Sequence, residues 1–336
     1  MKKREIICEY QNYIFHQPVP TSQLRSNAVA NDKVTIDAFS KKWLKNIREN
    51  KKFFGSFKDK SLGNLFGKHL YQPIVVAGAG SSLKNNAIAL KDRGSIPLIS
   101  CLHNFHFLED NGISADYYVS LDAGELVLEE VSEGGQKSEE EYWEMTRDRT
   151  LIAFIGSDPR LFQNWKGAIY LFNAPVPDEA YETEVETIEK FRCFVSNGGN
   201  VLGACMYIAK AYFGCSATVF IGADFSFGYE RKFHAWNSKY DAKMGHCIPM
   251  TDIYGNRVPT WQSYANFKSW FDWVSIQIPG IYINCTEGGT MGSYPDGNIH
   301  TIKQMDLDKC LDMFNMSQHM KEQALDPENA EKKILF

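Results

Sequence analysis

Two short stretches of this chain carry the residue types that hold an anion. The first is Ile74 to Leu83, IVVAGAGSSL, in which an apolar run breaks into Gly78, Gly80, Ser81 and Ser82 before a helix-compatible segment from Lys84 to Asp92. Glycines let a backbone turn sharply and approach a ligand. The serine hydroxyls and the free amides of a first helical turn can then meet a phosphate. Such a terminus contributes roughly 0.3–1 kcal/mol when exposed and up to about 2 when partly buried, enough to orient a nucleotide but not to hold one alone. The second stretch is Ser196 to Gly203, SNGGNVLG, where Ser196 or Asn197 can cap a helix and Gly198 and Gly199 permit close backbone approach. Its plainer reading is an ordinary capped helix with small packing residues.

Two acids stand where strands end, Asp122 after DYYVSL and Asp224 after TVFIGA. Each can hold a metal, a ribose hydroxyl or an amino group, and each can equally cap a turn. Ten residues past Asp224 lies His234, in the aromatic-rich stretch YERKFHAWNSKYD. An imidazole titrates near neutrality, so a loop histidine beside a nucleotide suits a general base; without that setting it is a structural histidine. His103, His106, His246 and His300 have less around them. Several chemistries are excluded by pattern. GAGSSL lacks the third glycine of G-x-G-x-x-G and is not G-x-x-x-x-G-K-[ST], and the chain has no G-x-S-x-G, H-E-x-x-H or kinase signature set.

The elements that must position these residues follow a rhythm that begins at residue 72. Strands are expected at Ile74 to Ala77, Ile96 to Leu102, Asp116 to Leu121, Leu151 to Ile155, Ala168 to Phe172, Ala217 to Ile221 and Ile281 to Asn284, with helix-length segments between them. Continuous apolar strands separated by helices predict an α/β fold, a doubly wound and mostly parallel sheet covered on both faces. Ligands of such sheets bind beyond the carboxyl ends of the strands. The positions to inspect are therefore 78–82, 103–106, 122–125, 156–158, 173, 222–225 and 285–289. Before the sheet, Phe39, Trp43, Leu44, Ile47 and Phe54 make one apolar stripe of a helix over 36–54, an N-terminal helical extension with a lysine-rich outer face. The strongly charged stretch between Glu125 and Arg149 reads as a surface insertion.

Composition narrows the function further. The chain has 336 residues, 44% of them hydrophobic, and a formal net charge of -5. That acidic balance argues against a protein whose business is to grip a nucleic-acid backbone. No run of about eighteen apolar residues would span a membrane, and Glu5, Glu9 and Gln11 interrupt the N-terminal apolar stretch where a signal peptide needs continuity. Eight cysteines are scattered without a C-x-x-C pair, which reads as reduced, buried thiols in a cytoplasmic protein with no zinc or other metal site.

Taken together and in order, GAGSSL, SLD, SNGGNVLGACMYIA, IGADFSF, FHAW and NCTEGG resemble the MptE-like family, which includes the bacterial motility accessory factor (Maf) proteins. The resemblance covers roughly residues 70 to 305 and implies a Rossmann-like transferase domain over 71–305, an extension over 1–70 and a C-terminal helix and tail over 306–336. Archaeal members are 6-hydroxymethyl-7,8-dihydropterin diphosphokinases that use ATP and magnesium. Maf proteins are regarded as glycosyltransferases that carry nonulosonic acids from CMP-activated donors to Ser or Thr of flagellin. Their core is similar to bacterial sialyltransferases of glycosyltransferase family 42, which place a catalytic histidine past a strand ending in G-x-D-F. The resemblance thus implies His234 and Asp224 as catalytic residues. It implies a nucleotide held by Gly78, Gly80, Ser81, Ser82, Asp122, Ser196, Asn197, Gly198, Gly199, Glu287 and Gly288. On the sugar-transfer side the partners are a CMP-activated donor and a sugar or protein Ser/Thr hydroxyl, with no further cofactor; on the diphosphokinase side they are ATP with Mg; a third reading is a non-catalytic nucleotide-binding module that keeps the cradle without the chemistry. The archaeal enzymes carry a D-L-D-G-like acidic pair where this chain has Ser120-Leu121-Asp122-Ala123, and that single acid weighs toward sugar transfer.

Overall fold

The computed structural model describes residues 22–228, 232–236, 247–278, 280–294, 297–298 and 301–325, with side chains left aside at 22–34, 277, 293–294, 297–298 and 318–325. His246, His300 and the terminal parts of the extension and tail lie outside the described residues. The strands, in chain order, are β1 (Pro73–Ala77), β2 (Leu98–Cys101), β3 (Tyr117–Ser120), β4 (Thr150–Phe154), β5 (Ala168–Phe172), β6 (Ala217–Ile221), β7 (Ile248–Thr251), β8 (Arg257–Thr260), β9 (Ile281–Asn284), β10 (Ser293–Tyr294), β11 (Gly297–Asn298) and β12 (Ile302–Gln304).

Eight of them form one sheet in the order β12-β9-β6-β1-β2-β3-β4-β5, and every neighbouring pair in it is parallel. The seven expected strands are all present. Their apolar runs are buried because both faces are covered: Val75, Val76, Leu98, Ile99, Val119, Leu151, Ile152 and Val219 have no accessible surface. Missing from the sequence reading were β12, a three-residue edge strand with only Ile302 buried, and the antiparallel pairs β7–β8 and β10–β11. Segments this short carry too little periodicity to be seen.

From β1 the chain steps outward to β5, then crosses back and lays β6 against the other side of β1, with Val76 between Ile99 and Phe220. This reversal makes the β1/β6 boundary the topological switch point. The connections that leave these two strands diverge to opposite faces of the sheet and leave a crevice at their carboxyl ends.

The N-terminal helix runs over Ser22–Phe54, longer than the expected 36–54. Leu44 and Ile47 join the same core as the sheet, Trp43 meets Phe154 and Tyr181 edge-on, and Phe54 meets Phe162. Phe39 is the exception in the stripe, 44% exposed and stacked on Trp43. Two buried asparagines fix the helix over the carboxyl end of β4. Asn46 Nδ2 donates to the carbonyls of Ala123 (3.1 Å) and Gly156 (3.0 Å), and Asn50 Nδ2 donates to those of Ile155 (2.8 Å) and Ser157 (2.9 Å). Part of the helix's basic face is met within the chain, by Arg48 to Glu184 and Lys51 to Glu189.

The stretch from Glu125 to Arg149 is not the surface insertion that its charge suggested. Val127, Val131, Tyr142 and Trp143 are buried in it, and a capping box between Ser138 and Glu141 starts the Glu139–Met145 helix. The Tyr142 hydroxyl donates to Asp110 at 2.6 Å and accepts from the amide of Gln136 at 2.8 Å. Alternating charges hid four apolar anchors, because the charged residues take the outer face and the apolar ones the inner.

Replacing Asn50 by Ala strands the Ile155 and Ser157 carbonyls in a dry contact. The expected cost is about 1–3 kcal/mol in urea unfolding with an unchanged slope; a stability equal to that of the wild type would show that the helix is not anchored there.

Candidate active site

The loops after β1 and β6 are tied to each other before any ligand is considered. The Gly78 amide donates to the Ile221 carbonyl at 2.8 Å and the Gly80 amide to the Gly222 carbonyl at 2.9 Å. The two chains run so close that a Cβ on Gly78 would lie 2.4 Å from the Gly222 oxygen, and one on Gly80 would lie 2.5 Å from Asp224 Cγ. This is the physical reason for glycine at both places. Asp224 then closes the contact. Its carboxylate accepts from the Ser82 amide (2.9 Å), from Ser81 Oγ (3.1 Å) and from Ser82 Oγ, while its carbonyl accepts from the Thr290 amide at 2.7 Å. Burial raises the Asp224 pKa and the serine donors pull it back, leaving it above the ordinary carboxylate value.

These contacts revise three sequence assignments. The hydroxyls of Ser81 and Ser82 are spent on Asp224, and neither residue lines the crevice. Asp224 touches the crevice but is only 4% exposed and holds a loop. Its carboxylate joins the loops that follow β1 and β6.

The crevice itself is a cleft of about 350 Å³. Its walls come from Gly78–Gly80, from Cys101 to His103 at the end of β2, from Val119 on β3 and Asp122 just past it, from Gly222 to Ser226 after β6, and from Asn200 to Leu202. His234 enters it by a backbone route: residues 80 and 234 form an antiparallel bridge, so the histidine segment is stitched to the glycine loop. The imidazole lies 4.4 Å from the His103 ring, centroid to centroid, and stacks on Trp236 at 4.8 Å. Burial pushes its pKa down to about 2, with His103 and His106 adding to the effect. His106 is pushed down to about 4, again chiefly by burial. His103 Nε2 sits 3.3 Å from Glu133 Oε2.

Beside His103 the cleft holds two carboxyl groups in hydrogen-bond contact, Asp122 and Glu130. Loss of solvent around the carboxyl groups in the cleft raises both, and the negative charge of Asp122 raises Glu130 further. Like charges at contact repel, so the pair holds a proton more tightly than a lone carboxylate does. Glu130 comes from the charged stretch after β3 and had no sequence signal. His103 had one, its place directly after a strand. The acidic pair that sequence spacing did not show is therefore made by folding, eight positions apart rather than two.

The remaining assigned residues lie elsewhere. Asn197 Oδ1 accepts from the Gly199 amide at 2.7 Å, and the helix is capped by Asn200, whose Oδ1 accepts from the Gly203 amide at 2.8 Å. Gly198 and Gly199 have φ of +57° and +84°, and Cβ atoms on them would meet Trp270 at 2.3 Å and Phe267 at 2.9 Å. They are glycines for turn geometry and for packing under aromatic rings, and with the buried Ser196 they stand outside the cleft lining. Glu287 is exposed and reaches away, accepting from the Leu307 amide at 3.0 Å and from Asn86 Nδ2 at 3.3 Å; Gly288 packs behind Ser82. Among the described residues no cluster of three or more His, Cys, Asp or Glu is arranged for a metal, and no helix is long and apolar enough to cross a membrane.

A family model described as "6-hydroxymethylpterin diphosphokinase MptE-like" matches residues 41–230, more than half of the chain. The chain belongs to the MptE-like family. The match spans β1 to β6 and so contains the glycine loop, Asp122, Glu130 and Asp224, and it stops short of His234. Among solved structures, that of "MAf glycosyltransferase from Magnetospirillum magneticum AMB-1" superposes with a TM-score of 0.53 at 16% identity, over 70% of this chain and 34% of that one. At that identity the likeness is one of fold, and the chain spans about a third of the other protein's length. No curated protein matches the sequence.

The titrating groups predict how stability follows pH. Below pH 6.5 the unfolded chain protonates His234 and the folded one resists until about 2, so stability falls as pH drops through that window. Asp122 and Glu130 act in the opposite sense: the fold holds their proton more tightly, so stability falls as pH rises past the ordinary carboxylate range. Thermal melts should show His234→Gln with a shallower acid limb and Glu130→Gln with a shallower limb above pH 5. Parallel profiles for all three proteins would contradict the assignment.

Proposed function

We propose that the chain is a nucleotide-dependent transferase that moves a nonulosonic, sialic-acid-like sugar from a CMP-activated donor to the hydroxyl of a sugar or of a protein Ser or Thr. The observation that carries this reading is the bridge between residues 80 and 234, which sets an imidazole against the glycine loop at the switch point. In the transfer, the acceptor oxygen forms a bond to the anomeric carbon. The bond from that carbon to the donor phosphate breaks with its electron pair leaving on CMP, and the acceptor proton passes to His234. An imidazole held neutral has its lone pair available at pH 7, but a group with a pKa of about 2 is a weak base. The charge of the donor phosphate arriving beside it raises that basicity when it is needed. Asp224 keeps the loop in register, and Asp122 meets sugar or ribose hydroxyls. The fold shared with a solved glycosyltransferase supports this reading.

A second reading is favoured by Asp122 and Glu130. The described cleft lining contains these two acids and Asp224 but no Lys or Arg, a poor setting for bare phosphates. Two carboxylates on one wall are hard oxygen donors of the kind that hold Mg²⁺ together with substrate phosphates. With the ion in place of a proton on the pair, its charge would offset that of ATP, and the hydroxymethyl group of a pterin would be the acceptor. This is the activity named in the family description.

Thermal shift with CMP, CDP and ATP, each with and without Mg²⁺, separates the two. Metal-independent stabilisation by cytidine nucleotides supports sugar transfer; stabilisation by ATP only with Mg²⁺, abolished in Glu130→Gln, supports diphosphoryl transfer. In either case His234→Ala should lower turnover by about 10²-fold or more with nucleotide binding retained. Unchanged turnover would remove His234 from the mechanism.

A further inference from the structure

One end of the cleft is built from rings and has no part in the chemistry above. Phe233, Trp261, Tyr264 and Phe267 all line it. They come from two separate segments: Phe233 directly precedes the histidine, and the other three stand at the head of the Gln262–Gln277 helix. Phe233 stacks on Tyr264 with centroids 5.3 Å apart and an interplanar angle of 27°, and it lies 4.9 Å from Trp261. Tyr264 continues to Phe267 at 5.8 Å. Each of the four is only half-buried, unlike the core aromatics Phe220 and Phe227. Large aromatic surface left wet inside a concavity is costly and marks a place where a ligand completes the packing.

The rest of the cleft decides what that ligand is. Its opposite end is polar, with Asp122, Glu130 and His103, and no Lys or Arg lines it among the described residues. Among the described lining residues no cation is offered to a phosphate, whereas the rings offer a surface for the flat, uncharged part of a nucleotide. His234 stands between the two ends, its ring 4.3 Å from that of Phe233. A ring system seated on the aromatic end would point its attached phosphates and reacting bond toward the imidazole and the acidic pair.

We propose that Phe233, Trp261, Tyr264 and Phe267 form a stacking subsite for the heterocyclic base of the donor nucleotide, so that the base supplies the binding free energy and the polar end supplies the chemistry. This rests on the transferase reading for the presence of a nucleotide, though not on which group is transferred. Stacking of a base on an aromatic side chain tolerates any base, because every base offers a π-face.

The test uses the full chain and whichever of CMP or ATP with Mg²⁺ stabilises the wild type more, compared by calorimetric titration with ribose 5-phosphate, which keeps sugar and phosphate but has no base. Tyr264→Leu keeps apolar bulk without a π-face, and Tyr264→Phe keeps the π-face without the hydroxyl. Tyr264→Leu should weaken nucleotide binding about tenfold, Tyr264→Phe should bind like the wild type, and ribose 5-phosphate should bind weakly and equally to all three. Nucleotide binding unaffected in Tyr264→Leu, or ribose 5-phosphate bound as tightly as the nucleotide, would overturn the subsite while leaving the transferase reading standing. A wild type that binds no nucleotide would overturn both.

Discussion

The Asp224 carboxylate is the constraint on which the rest of the site depends. It sits in the crook of Gly78 to Ser82 and takes up donors that would otherwise face the cleft. A buried carboxylate survives only when it is well hydrogen-bonded, and these serines satisfy that need. The consequence is a rigid joint between the first and last of the central strands, made without any ligand. Because residue 80 bridges to residue 234, fixing the glycine loop also fixes the histidine. The order of a segment far along the chain is thus set by one acid and two hydroxyls.

Within that frame the cleft keeps its charge low. Burial disfavours the protonation of His234 and His106, and contact between Asp122 and Glu130 disfavours two charges. In a low-dielectric space such groups respond strongly to an arriving charge. The far end of the same cleft is lined by the half-buried rings of Phe233, Trp261, Tyr264 and Phe267.

Segments that looked peripheral turn out to build the walls. The N-terminal helix caps the carboxyl end of β4 through Asn46 and Asn50, which removes Gly156 to Ser157 from the set of open strand ends. The charged stretch after β3 folds inward on Tyr142 and Trp143 and brings Glu130 to Asp122. The TEGG loop backs onto Asp224 through Gly289 and Thr290 rather than facing a ligand: a Cβ on Gly289 would lie 2.4 Å from Asp224 Cα.

The sheet, and the edge of it where the crevice opens, were legible in the local pattern of residues. Apolar runs of strand length alternating with helical segments leave one economical arrangement, and strand-end residues such as Gly78, Asp122 and Asp224 are local features that composition and spacing reveal. His234 was also visible, through its motif. How those residues divide their work depends on contacts made after the chain has folded. That Ser81 and Ser82 serve Asp224, that Gly198 and Gly199 make room for Trp270 and Phe267, that Glu287 holds a helix start, and that Glu130 joins Asp122 are all contacts between residues distant in the chain. No local pattern encodes them. Hydrogen-bond satisfaction and burial are properties of the assembled interior, and the same glycine or serine serves a ligand or a neighbouring loop according to what the fold places opposite it.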